Sequence, residues 1–236
     1  MKTWIITLFL VMFSLPALSN DIYIDQIGDT LDLDITQDGS NNQFGDSTTD
    51  VTLAGDDMTF AITQTGNTNV IDALIKGTNY TGTWTFTGNS NTVDMKCSSA
   101  STGKCDDVTV NITTTGDDNA YTVYVGETTT ADNLVAAFTV TGDHNTITAD
   151  VDGTSGAVTL VMDNSSSLST NSTDNDEGNA VTITMDGNGD SNGHTVDLNI
   201  TGGGSTYDVT QSGTADAVVS ATFSGDEQDV DITQSD

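Results

Sequence analysis

Arginine is absent from this chain of 236 residues, and four lysines stand against 35 acidic residues, a formal charge of −31. A surface so poor in cations has little with which to neutralise nucleic-acid phosphates or to settle on an anionic membrane, so both partners are excluded. An enzyme that draws in an acidic polysaccharide would meet the same shortage. Proline occurs once, at Pro16, and no apolar run after the first 19 residues is long enough to insert into and cross a bilayer. Two cysteines and two histidines, His144 and His194, supply neither a ligand set spaced for a metal nor a nucleophile with its base. Both histidines read as surface or strand residues, no enzyme is expected, and no catalytic or cofactor-binding residue is assigned.

Residues Met1 to Ser19 begin with Lys2, run through the apolar stretch WIITLFLVMF, break at Pro16 and end in Ala17-Leu18-Ser19. The apolar core is too short for a membrane span, and residues 1–19 read as a secretory signal peptide. Residues 20–236 then form a single domain, and loss of Lys2 takes the charge to about −32. In an oxidising compartment Cys97 and Cys105, which bracket Ser-Ser-Ala-Ser-Thr-Gly-Lys, can close a local loop as a disulfide.

Threonine, aspartate, asparagine, glycine and serine dominate what remains. Composition alone, at 35% hydrophobic, would allow a disordered acidic tail. The apolar residues, however, alternate with polar ones over runs of five to seven positions, which a disordered segment has no physical reason to do. The stretch Met58 to Ile75 shows the pattern most clearly. Met58, Phe60, Ile62 and Gln64 fall on one side of a strand, Gly66-Asn67-Thr68-Asn69 turns, and Asn69, Ile71, Ala73 and Ile75 fall on one side of a second strand.

That phrase recurs. Gly-x-x-Asn corners stand at Gly39 to Asn42, Gly66 to Asn69, Gly88 to Asn91, Gly116 to Asn119, Gly142 to Asn145 and Gly189 to Asn192, with frayed forms at Gly213 to Asp216 and Gly225 to Gln228. From Gly66 the glycines step by 22, 28, 26, 47 and 24 residues, a period that marks a repeat architecture. One unit cannot bury its own apolar side, whereas a stack of units can. The expected fold is therefore all-β: a β-solenoid of stacked strand-turn-strand repeats, about 8–9 coils and about 40 Å long. Residues 163–180, polar and without apolar rhythm, read as a loop insertion on one coil. The chain closes on VDITQSD in repeat register with no polar cap, an end that invites another chain.

The phrase Ile-x-Gln-x-Gly-x-x-Asn at Ile35 to Asn42 and Ile62 to Asn69, with Asp-Val-Thr-Gln-Ser-Gly at Asp208 to Gly213 and the echoes at Gln26 and Gln234, resembles the curlin repeat of bacterial curli fibre subunits. The resemblance covers most of residues 20–236 in rhythm and about three units in spelling; the Gln position becomes Phe86, Thr114 and Val140 in the middle repeats. It implies stacked coils with inward amide ladders, homopolymeric fibres for adhesion or matrix, a curli-type outer-membrane export channel and a nucleator subunit. The candidate rungs and corners are Gln37, Asn42, Gln64, Asn69, Asn91, Asn119, Asn145, Asn192 and Gln211. Amides one layer apart, about 4.8 Å, can each donate and accept along the stack.

Two further patterns call for weighing. Asp186-Gly-Asn188-Gly-Asp190 opens as a calcium loop does, but Ser191 stands where glycine is needed and no glutamate follows at the twelfth position, so no metal site is assigned. Calcium or another divalent ion enters only as a diffuse screen for stacked acidic subunits. Thr-x-Thr pairs at Thr83, Thr85 and Thr87, Thr139 and Thr141, Thr146 and Thr148, and Thr182 and Thr184 resemble the ice-binding faces of some antifreeze proteins, but they fall on different sides of the turn. The expectation is a secreted, extracellular or cell-surface subunit of curli-like amyloid fibres. The alternative is a monomeric acidic solenoid acting as an adhesin or viral receptor-binding fibre.

Overall fold

A computed structural model of the chain describes residues 21–97, 106–116, 118–125, 134–142, 144–153, 156–163, 179–187, 194–201, 205–213, 217–225 and 228–235. Residues 1–20, which include the expected signal peptide, Cys105, Asn192 and most of the 163–180 insertion lie outside them. The described residues hold strands and no helix. In chain order the strands are β1 (Asp21–Ile22), β2 (Asp25–Ile27), β3 (Asp32–Asp38), β4 (Gln43–Phe44), β5 (Val51–Ala54), β6 (Met58–Thr65) and β7 (Val70–Lys76). There follow β8 (Tyr80–Thr87), β9 (Thr92–Cys97), β10 (Thr109–Thr115), β11 (Ala120–Val125), β12 (Leu134–Thr141) and β13 (Thr146–Gly153). The last are β14 (Gly156–Asp163), β15 (Ala180–Gly187), β16 (Thr195–Thr201), β17 (Thr206–Ser212), β18 (Val218–Ser224) and β19 (Asp229–Ser235).

These strands form a parallel β-solenoid. From β3 onward the chain alternates between two sheets. One has eight strands in the order β18-β16-β14-β12-β10-β8-β6-β3; the other has eleven, running β1-β4-β7-β9-β11-β13-β15-β17-β19 with β2 and β5 beside β4 at its start. Every strand pairing is parallel, and each strand lies directly on the equivalent strand of the next coil, so Ile62 meets Trp84, Trp84 meets Ile112 and Ile112 meets Phe138.

Alternation explains why these sequences make these sheets. In β6 the residues Met58, Phe60, Ile62 and Gln64 are buried, while Thr59, Thr63 and Thr65 face out and Ala61 is half-covered. The inner faces of the two sheets meet in one continuous core from Ile35 to Val209. Phe44 of the longer sheet packs on Phe60 of the shorter with ring centroids 5.1 Å apart, and Tyr207 packs on Phe223 at 5.2 Å. Burial of a Val, Leu, Ile, Phe or Met side chain stabilises by about 1.5–3 kcal/mol, so a coil gains most of its stability from its six or so inward positions. A slip of one residue would turn all of them outward, which locks the register.

The insertion is shorter than its sequence suggests: Asp163 ends β14 and Ala180 begins β15, both inside regular strand pairing.

Candidate functional site

Five corners lead from the eight-stranded sheet into the eleven-stranded one through the same four-residue phrase. It opens on a glycine with positive φ, namely Gly39 (141°), Gly66 (140°), Gly88 (132°), Gly116 (136°) and Gly142 (128°). The third residue is left-handed, at Asn41, Thr68, Ser90, Asp118 and His144 with φ of 57–62°. The fourth, Asn42, Asn69, Asn91, Asn119 or Asn145, is buried. A Cβ at Gly66 would run into the carbonyl oxygen of Gly39 one coil away, so both the dihedral and the space require glycine.

These asparagines form a column. Asn42 Nδ2 donates to Asn69 Oδ1 at 2.9 Å, Asn69 to Asn91 at 2.7 Å, Asn91 to Asn119 at 2.8 Å and Asn119 to Asn145 at 2.7 Å. The same amide groups donate to the glycine carbonyl three residues back, from 3.3 Å at Asn42 to 2.5 Å at Asn91. The oxygens of Asn119 and Asn145 each take a second bond from the backbone, from Asn91 N–H at 2.9 Å and Asn119 N–H at 3.1 Å, and Asn145 N–H donates to Asn179 Oδ1 at 2.7 Å. Only a side chain with both a donor and an acceptor can serve all three partners.

Asn179 and Ser205 extend the column, Asn179 N–H donating to Ser205 Oγ at 3.0 Å. The Gly-x-x-Asn spacing misses both, because Asp176 stands where the glycine belongs ahead of Asn179, and Ser205 is not an asparagine. A different signal finds Asn179: it immediately precedes its strand, as Asn69 precedes Val70. Asn192 lies outside the described residues.

The glutamines do not make one ladder. Gln37 and Gln64 sit at the inner end of β3 and β6, with Gln64 Nε2 donating to Gln37 Oε1 at 2.7 Å. Their column continues through Phe86, Thr114, Val140, Met162, Ile200 and Phe223. Phe86 above Gln64 has nothing to donate, and Gln64 Oε1 is buried without a partner. Gln211 belongs to the other sheet, a correction to its grouping with Gln37 and Gln64: β17 follows a corner of the opposite kind, which shifts its glutamine to the facing wall. There Gln234 Nε2 donates to Gln211 Oε1 at 2.8 Å, and the column below runs through Met185 and Val151 to Val125 and Cys97. Cys97 is disulfide-bonded, and the only other cysteine of the chain is Cys105.

Charge is concentrated on the outer face of the eleven-stranded sheet. Asp72 of β7 lies in register with Asp94 of β9 and is only 6% exposed. Burial, then the hydrogen bond and charge of Asp50, then the charge of Asp94 push the Asp72 carboxyl up to about 7, with Lys96 opposing. Lys96 Nζ pairs with Asp94 Oδ2 at 3.1 Å. Nearby, Asp46 accepts from Thr48 and from the Tyr23 hydroxyl, and these bonds hold its carboxyl down at about 2. Among the described residues no group of three or more His, Cys, Asp or Glu side chains is arranged to hold a metal ion, and residues 188–190 of the calcium-like run lie outside them. His144 stands at a corner 3.5 Å from Asp118, whereas His194 is buried rather than at the surface.

The outer face of the eight-stranded sheet is different. Across β6, β8, β10 and β12 it presents Thr59, Ala61, Thr63 and Thr65; Thr81, Thr83, Thr85 and Thr87; Thr109, Asn111, Thr113 and Thr115; Val135, Ala137, Thr139 and Thr141. The Thr-x-Thr pairs of these strands align on a single face, and only Thr146, Thr148, Thr182 and Thr184 lie on the other sheet. Thr63 with Thr65 and Thr113 with Thr115 complete the pattern, placed there by the register of the strands.

Comparison of the chain with family models, with curated proteins and with solved structures finds no match.

Proposed function

We propose that this chain is a secreted structural subunit that assembles with copies of itself, coil upon coil, into extracellular curli-like amyloid fibres serving adhesion or matrix formation. On this reading the solenoid is built of about 8–9 coils, each a divergent curlin-like repeat. The observation that carries the reading is the uncovered edge of the eleven-stranded sheet at β19. Among the described residues β19 pairs with β17 alone, and its inward Val230 and Ile232 are 37% and 40% exposed. Unpaired backbone groups beside uncovered apolar side chains template a further strand.

The first layer of the same sheet carries matching side chains. Ile22 stands in the column of Phe44 and Ile71 that ends at Val230, and Gln26 stands in the column of Leu53 and Ile75 that ends at Gln234. A second copy set on β19 through its β1 and β2 would put isoleucine over valine and glutamine over glutamine. By the same resemblance a curli-type channel would export the subunit and a nucleator would start the fibre, with divalent cations screening the acidic coils.

Two observations favour the second reading, a monomeric acidic adhesin or receptor-binding fibre. The charge of −31 opposes stacking, and because β1, β2 and β19 all belong to the eleven-stranded sheet such a junction leaves the eight-stranded sheet one strand short. Incubation of the purified protein followed by electron microscopy and fibre diffraction decides between them. Unbranched filaments with a reflection near 4.8 Å are expected; a species that stays monomeric in sedimentation at high concentration and salt would overturn the fibre reading.

A further inference from the structure

We propose that the threonine face of β6, β8, β10 and β12 binds ice, its ligand being the ordered water lattice of a growing crystal. The argument is independent of whether copies stack into fibres.

Register comes first. Thr63, Thr85, Thr113 and Thr139 stand in one line, each directly over the last, and every one has a second threonine two residues further along its strand. Parallel pairing fixes the grid at about 4.8 Å between strands and about 6.6 Å along them. The spacing between strands lies close to the shorter oxygen repeat on the prism face of hexagonal ice, and the spacing along them falls somewhat short of the longer one. Threonine is stiff at χ1, so its hydroxyl and methyl hold one orientation, and little side-chain entropy is lost when a lattice forms against them.

Charge supplies the second observation. The chain holds 35 acidic residues, yet none of the 16 outward positions on these four strands is charged. The face ends where carboxylates begin, at Asp34 of β3 on one side and Asp163 of β14 on the other. A carboxylate keeps its own tightly held hydration shell, which an ice surface cannot accommodate; hydroxyls and methyls impose no such shell.

The test is ice-affinity partitioning of the purified protein, together with the shape of crystals grown in its presence. The protein is expected to enter the ice fraction and to facet the crystals. Thr85→Lys and Thr113→Lys, each in the middle of the grid, should lose partitioning, while Thr182→Lys on the outer face of the opposite sheet should retain it. Far-UV circular dichroism confirms that each variant keeps its β structure, and Thr139→Lys replaces either one that does not. The proposal is overturned if the parent protein stays in the liquid, if the central variants partition as well as the parent, or if Thr113→Lys instead abolishes a lateral dimer of a protein that never enters ice.

Discussion

Asn119 Oδ1 accepts two hydrogen bonds from Asn91, one from Nδ2 at 2.8 Å and one from the backbone N–H at 2.9 Å. Both donors are buried, so Asn119→Ala strands the N–H and one of the two Nδ2 hydrogens, the other staying on the Gly88 carbonyl. At about 1–3 kcal/mol for each buried group left unpaired, the loss should be roughly 2–6 kcal/mol. Urea denaturation followed by circular dichroism measures it as a lower midpoint at unchanged slope. Asn119→Asp keeps the acceptor but buries a charge, so its stability should recover as the solution is acidified, which Asn119→Ala cannot do.

The glutamine pair obeys a different arithmetic. Gln64→Leu removes the donor that Gln37 Oε1 receives at 2.7 Å inside the core. Replacing both residues by leucine removes donor and acceptor together, which is close to neutral when shape is kept. The double variant should therefore be more stable than the sum of the single variants predicts. A double-mutant cycle should return a coupling of about 0.5–3 kcal/mol, and additivity would show that the bond contributes nothing.

The legibility of this fold follows from how local its rules are. A period of two along each strand and a glycine at each corner are written in contiguous residues, and Met58 to Ile75 alone displays both. Which wall a given strand joins is not local. Gln211 reads like Gln64 in its own neighbourhood, and only the count of intervening corners assigns it to the facing sheet beside Gln234. The same holds for the threonine face, because Thr63 and Thr113 become neighbours of Thr85 only once the strands are in register. Asn179 was hidden for another reason: its corner has lost the glycine by which the others are recognised.

Asp72 should make stability fall as pH rises. Its carboxyl is held up at about 7 in the folded chain, against about 4 for an exposed aspartate. Between those values the folded state keeps a proton that the unfolded state has released, so each step up in pH across that window favours unfolding. Asp72→Asn removes the dependence. The melting temperature of the parent should drop between pH 5 and pH 7.5 by more than that of Asp72→Asn, the difference cancelling the general titration of so acidic a chain.

The β19 edge offers the sharpest separation of stacking from charge. Ile232 is 40% exposed and stands in register with Val209 of the neighbouring strand, so Ile232→Lys should leave the melting temperature of the single chain nearly unchanged. Within a junction the same lysine would be buried in an apolar column without a counter-charge, which costs several kcal/mol. Charge alone predicts the reverse, because each added cation lowers the repulsion between subunits of charge −31 and should speed assembly. Thr233→Lys, on the outward side of the same strand, supplies that cation without entering the column. Growth followed by light scattering should stop for Ile232→Lys and hold steady or quicken for Thr233→Lys. Equal rates for the two would mean that copies do not add through β19.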